Sequence, residues 1–370
     1  MEKNNKLRGT IPALVAGVFL LGAAALLAAA RKVPGFAEWY SRTIYPCLVG
    51  TIGRVSGLVP FSVVEFGLYA GVCFLLLLLI KLRKRPLALV KCYALIVSAL
   101  LFSYAACCGV NYYRTPFSSY YIRTLDEIAL EEDLEEQLKD LCGWLTEEVN
   151  GARTELDVAE GNYENVQKKG IAAMTKLAER YPSLAGFYPQ PKPVLVSLIL
   201  SVQQCSGVYS PFTIEANYNH DMTDYNIPHT ICHEMSHLRG FMREDEANFI
   251  GYLACLGSDD ADYRYSGYML GWIYAGNALA KVDFEEYVRL HGLLSEEIRR
   301  DLEENSAFWD RYEGKAAEVQ EKVNDAYLKV NGQSEGVKTY GRVVDLMILD
   351  FVENRKGKGC NQVGKMIEWT

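Results

Sequence analysis

The sequence predicts a mainly α-helical membrane protein: three transmembrane helices at the N-terminus, followed by an α+β soluble domain that carries a small sheet. Three observations predict it. Long apolar runs are confined to residues 1–110, the charge balance changes sign after them, and most of the remainder repeats its apolar residues at helical intervals, with two short β-rich interruptions. At 370 residues the chain has room for two structural units. Residues 1–110 hold 12 Lys or Arg and 3 Asp or Glu, which leaves 26 and 43 of the totals of 38 and 46 for residues 111–370.

The membrane elements come first. Residues 11–30 are free of charge, and a helix of about 20 residues crosses roughly 30 Å of hydrocarbon. A second run covers about 60–80 and a third about 92–110. Ala28, Ala29 and Ala30 could present a signal-peptide cleavage site, but the first run exceeds a usual signal-peptide core, which favours an uncleaved anchor. Lys3, Lys6 and Arg8 precede span one, and Lys81, Arg83, Lys84, Arg85 and Lys91 crowd the link between spans two and three. Cations stay on the cytoplasmic side, so the expected protein is a multi-pass protein of the cytoplasmic membrane with its N-terminus inside and residues 111–370 extracytoplasmic. Glu65, near the outer end of span two, reads as an interfacial carboxylate.

The soluble elements follow in order. Ile128, Leu130, Leu134, Leu138, Leu141 and Leu145 recur at helical spacing over residues 125–149, and residues 163–181 behave alike. "PKPVLVSLILSVQ" (191–203) and "GVYSPFTIEAN" (207–217) are short, rich in β-formers and bounded by Pro, Gly and Asn, so both read as strands. Pro211 would interrupt a central ladder, which assigns the second to a sheet edge. Helical patterns resume after residue 226 and run to about 352. Ten cysteines show neither regular spacing nor a CxxC pair, which argues for buried free thiols or one optional bridge. The acidic balance of residues 111–370 excludes nucleic acid as a partner.

The chemistry concentrates in residues 229–255. Pro228 suits the first turn of a helix, where its missing N–H costs nothing. His233 and His237 then lie four apart on one face, about 6 Å along the axis, and two imidazoles so spaced reach one ion. Glu234 sits beside the first. This is HExxH, a specific signal in a chain with five histidines. A Zn2+ ion on three protein ligands keeps a fourth position for water, and the glutamate handles that water's proton. Glu234 is thus the expected catalytic residue, with His233 and His237 as metal ligands.

The third ligand needs a longer argument. A histidine six residues after His237 would be a third imidazole, but Arg243 stands there and stays protonated. Glu244 is the candidate. On an unbroken helix it would lie about 10 Å beyond His237, too far for one ion, so Gly240 must let the chain turn back. Glu246 competes for the role. His229, one turn before His233, reads as a structural histidine, and Cys232 as a small buried residue opposite Cys255. Arg264, among Tyr263, Tyr265 and Tyr268, is a candidate oxyanion donor. His220 and His291 have no partners at ligand spacing.

"YPCLVGTIGRVSGLVPFSVVE", "GVYSPFTIEANYN", "IPHTICHEMSHLRGFMREDEANFIGYLAC" and "DYRYSGYML" together resemble an uncharacterised family of bacterial membrane proteins, a domain of unknown function with zincin-like metallopeptidase character. "EDEAN" is similar to the second zinc helix of gluzincins, in which the first glutamate ligates and the residue four later braces a ligand histidine; here these are Glu244 and Asn248. The usual aspartate at the bracing position is replaced by asparagine, a weaker acceptor. The resemblance implies a zincin-like fold for residues 111–370, with residues 207–217 as the strand along which substrate would lie. The expected function is a membrane-anchored zinc metalloendopeptidase acting on protein or peptide substrates at the outer face of the cytoplasmic membrane, with the lipid bilayer as its other partner. A non-catalytic zinc-binding sensor or interaction domain is the alternative. The acids and arginines around the motif leave no apolar run of 20 residues there, which puts the site in water rather than within a span.

Overall fold

The computed structural model describes residues 2–121, 124–131, 133–159, 163, 165–331, 333 and 342–355. Three helices are long and apolar enough to cross a membrane: Ile11–Lys32, Val63–Leu82 and Pro86–Cys107. Few of their residues are covered by protein, which is how a helix solvated by lipid looks. Spans one and three pack together, with Phe19 and Phe102 in ring contact at 5.6 Å. Span three begins at Pro86 rather than near residue 92, because proline at the first turn starts the helix early. Lys91 therefore lies on that helix and not in the link, and Arg83, Lys84 and Arg85 keep the link cationic.

The stretch between spans one and two is more than a loop. Helices Phe36–Thr43, Tyr45–Leu48 and Arg54–Ser56, with a wide turn Val49–Gly53, fold back into the soluble part, where Ala37, Tyr40, Tyr45 and Val49 join a single contiguous core that reaches to Phe351. Residues 36–56 thus belong by packing to the core that the later helices build.

The expected helix over residues 125–149 is two helices, Leu125–Glu131 and Leu134–Val158; Asp133 caps the second by accepting the Glu135 N–H at 2.9 Å. The next expected helix is Val166–Arg180. The two β-rich segments depart further from expectation. Of residues 191–203 only β1, Lys192–Pro193, is strand, and Leu198–Val202 coils into a short helix. A short apolar run carries no periodicity that separates the two states. Residues 207–217 hold not one strand but two, β2 (Gly207–Ser210) and β3 (Glu215–Tyr218). Pro211 falls in the turn between them, where the Ser210 hydroxyl accepts the Thr213 N–H and Ile214 takes a positive φ of 51°. The sheet order is β1-β3-β2, with β1 parallel and β2 antiparallel to β3, so β2 is an edge.

Helix Asn226–His237 occupies the middle of the soluble part. It packs against Glu244–Leu256, Ala261–Val282, Val166–Arg180 and the sheet. Every one of its residues except His233 is buried.

Candidate metal centre

Two helices and the turn between them build the centre. Asn226–His237 ends at Leu238, Gly240 adopts φ +83°, and Glu244–Leu256 begins at Glu244. That conformation is open to glycine and costs other residues about 1–2 kcal/mol. The turn is held by Phe241 N–H donating to Ser236 O at 3.3 Å and by Arg114 Nη1 donating to Arg239 O at 2.6 Å. The reversal expected at Gly240 is thus present, and it lays the start of the second helix beside the end of the first.

The donors then converge. His233 Nδ1 donates to Asn248 Oδ1 at 2.7 Å, and His237 Nδ1 donates to Phe241 O at 2.7 Å. Each bond fixes a tautomer and leaves Nε2 to face the site. His233 Nε2 lies 3.2 Å from Glu244 Oε2, and His237 Nε2 lies 4.0 Å from Glu244 Oε1. One ligand atom from each of the three side chains falls within 4.8 Å of the others. Two imidazoles and one carboxylate, with a free face between them, are the donor set that suits zinc with one position open.

Electrostatics mark the same four residues. Burial lowers the affinity of His233 for a proton, but the Glu244 carboxylate outweighs burial and raises its pKa to about 9. Burial wins at His237, which is lowered to about 4. Glu244 is resisted by burial yet held below its usual value by His233 and His237. Glu234 has no such compensation: burial raises it to about 8, and its Oε2 has no hydrogen-bond partner among the described residues. A buried carboxyl oxygen without a partner is costly, and it points to a ligand that belongs there.

A cleft of about 930 Å³ opens over this group. Glu234, His233, His237 and Glu244 line it together with Gly207, Val208 and Tyr209 of β2 and residues of helix Lys315–Val330. The edge strand approaches closely only because residue 207 has no side chain. A Cβ there would sit 2.5 Å from Glu234 Oε1 and 2.8 Å from Thr230 Cγ2.

Other residues singled out from sequence sort themselves by partner. Glu246 is buried two positions from Glu244 but points away, accepting the Phe117 N–H at 2.9 Å. That removes it as a competing ligand. Arg264 is not an oxyanion donor: it pairs with Glu155 Oε2 at 2.8 Å and donates to Ser258 O at 3.0 Å, at the far end of Glu244–Leu256. Its tyrosine neighbours are engaged elsewhere, Tyr263 with Val166 O and Tyr265 with Asp301. His229 is structural, with Nε2 on Asn248 O at 3.1 Å and a pKa that burial lowers to about 3. Cys232 and Cys255 are buried together, and the nine described cysteines are all free thiols; Cys360 lies outside the described residues. His220 meets Ser197 and His291 stacks on Trp272, both away from the site.

Sequence reasoning missed the scaffold beneath the histidines. Tyr45, fully buried, donates to His237 O at 2.9 Å and meets the Tyr209 hydroxyl at 2.8 Å. It thereby ties the segment between spans one and two to the end of the metal helix and to β2. Tyr274, on Ala261–Val282, lines the cleft as well. Neither tyrosine stands at a spacing that links it to HExxH, and only folding brings them there.

A family model described as a protein of unknown function (DUF3810) matches residues 40–348. No curated protein and no solved structure matches the chain.

Proposed function

The chain belongs to the DUF3810 family, and we propose that it is a membrane-anchored zinc metallopeptidase that hydrolyses protein or peptide substrates at the outer face of the cytoplasmic membrane. One observation carries this reading: His233, His237 and Glu244 bring three donor atoms within 4.8 Å of one another, in a cleft that also holds the unpartnered carboxyl oxygen of Glu234. The residues fit the ion. Both histidines are anchored through Nδ1, which leaves Nε2 free to ligate, and Glu244 supplies the carboxylate.

Zinc held by these three side chains would activate a water and polarise a scissile carbonyl. The chain's own groups do the rest. Glu234, buried beside the three donors with one carboxyl oxygen unpartnered among the described residues, would take the water's proton at a carboxylate oxygen and return it to the leaving amine. The free edge of β2 offers backbone N–H and C=O groups to an extended peptide, which would add to the sheet as a further strand. The orientation of the cations around the spans is the support for an extracytoplasmic domain.

The alternative, a domain that binds zinc without catalysis, has one observation in its favour: Asn248, a neutral amide, contacts His233 where a carboxylate would raise the ligand's basicity more. The intact protein in detergent should contain about one zinc per chain, and its cleavage of a peptide library should fall about 10²- to 10⁴-fold in Glu234→Gln with zinc retained. Zinc without cleavage by either protein would favour the binding role; no zinc would remove both readings.

A further inference from the structure

We propose that residues 194–202 form a membrane-dipping anchor that seats the cleft on the leaflet span two enters at Val63. Three observations meet here, and none depends on the metal. The first is the sequence "VLVSLILSV", nine residues that are all aliphatic or serine, in the net-acidic part of the chain after residue 110. The second is exposure: Leu195, Val196, Leu198, Ile199 and Val202 are each between 37% and 66% exposed, while Leu200 and Ser201 turn inward. Positions 195, 198, 199 and 202 follow helical spacing, so the short helix Leu198–Val202 and Leu195 in the turn ahead of it present one aliphatic face outward.

The third observation names what covers that face. Glu65, in the first turn of span two, accepts Leu195 N–H at 2.7 Å and Val196 N–H at 2.9 Å. Glu215 accepts the Val63 and Val64 N–H groups at 3.0 and 2.9 Å, and it pairs with buried Lys192 at 2.5 Å. These bonds fix the aliphatic face at the level where a membrane-crossing helix begins. Leu58 and Phe61, in the turn just before that helix, are exposed apolar side chains as well. A face held at the mouth of a span is in contact with the headgroup and upper acyl region of the bilayer, the environment that takes apolar side chains with polar backbone nearby.

The anchor runs without interruption into the cleft. Leu200, Gln203, Gln204, Cys205 and Ser206 line the cleft on the way to β2, so its rim begins within a few residues of the lipid-facing side chains. A cleft seated in this way opens towards polypeptides that are themselves held at the membrane surface, at high effective concentration.

The test uses the full chain in phosphatidylcholine and phosphatidylglycerol vesicles. Ile199→Trp and Leu198→Trp are compared with Val158→Trp, a highly exposed position on the soluble part, and the emission of the parent's five tryptophans is subtracted. With phosphatidylcholine brominated on its acyl chains, the added emission at 199 or 198 should be quenched at least about twofold, and that at 158 little changed. Equal response at all three positions would overturn the proposal. So would emission at 199 and 198 that neither brominated lipid nor aqueous iodide quenches, because a second copy or another protein would then cover the face.

Discussion

Two pairs of glutamates, each largely withdrawn from solvent, divide this molecule. At the junction with the membrane helices, Glu215 accepts two backbone N–H groups and pairs with Lys192, and Glu65 accepts two backbone N–H groups and the Tyr69 hydroxyl. At the candidate metal centre, Glu244 faces the Nε2 atoms of two imidazoles, and one Glu234 oxygen has no partner among the described residues. All four carboxylates are largely withdrawn from solvent, but among the described residues only the first pair is satisfied by backbone N–H groups, whereas Glu244 leans on imidazoles alone and Glu234 keeps an unpartnered oxygen. Burial of an acid therefore does not distinguish scaffold from site; the completeness of its partners does.

That contrast can be broken at either end. The largest effect should follow His237→Ala: the centre loses one of three ligands, and zinc measured per chain should fall from about one to near zero, against a structural-zinc stabilisation of order 10 kcal/mol. Retention of stoichiometric zinc would place the ion elsewhere. Glu215→Ala strips buried Lys192 of its carboxylate partner and frees two N–H groups, so the protein should lose about 3–5 kcal/mol in denaturant unfolding, with or without zinc. A loss below about 1 kcal/mol would mean that the junction carboxylates are no more structural than those of the site. Asn248→Ala removes the acceptor that orients His233, and zinc affinity should weaken about 10- to 100-fold in a competition titration. The smallest effect belongs to Gly240→Ala, about 1–2 kcal/mol of stability from a left-handed residue that must now carry a side chain.

Legibility from sequence followed the range of the interactions. The three apolar helices were readable because each satisfies its own backbone and needs only length and composition to declare itself. His233, Glu234 and His237 were readable because four residues make one helical turn, and a spacing along the chain is then a spacing in space. Glu244 was within reach, since Gly240 advertised the reversal that the geometry required. The strands were not: "VLVSLILSV" has an apolar run's ambiguity, and Ile214 in a left-handed turn splits a segment that alternates like one strand. Arg264 stood in an aromatic stretch that looked active, yet it pairs with Glu155 and donates to Ser258 O, and it is not among the residues that line the cleft.

What the sequence by itself determined is therefore the apolar, membrane-helix third, the mainly helical remainder and the local half of the candidate metal centre, all set by periodicity and composition over a few turns. Only the tertiary structure decided which of Glu244 and Glu246 faces the histidines, that Gly207 lets the edge strand approach Glu234, and that Tyr45 braces the end of the metal helix. Those choices rest on contacts between residues tens to hundreds of positions apart or on the rotation of one helix within the packed core, and no local pattern records either.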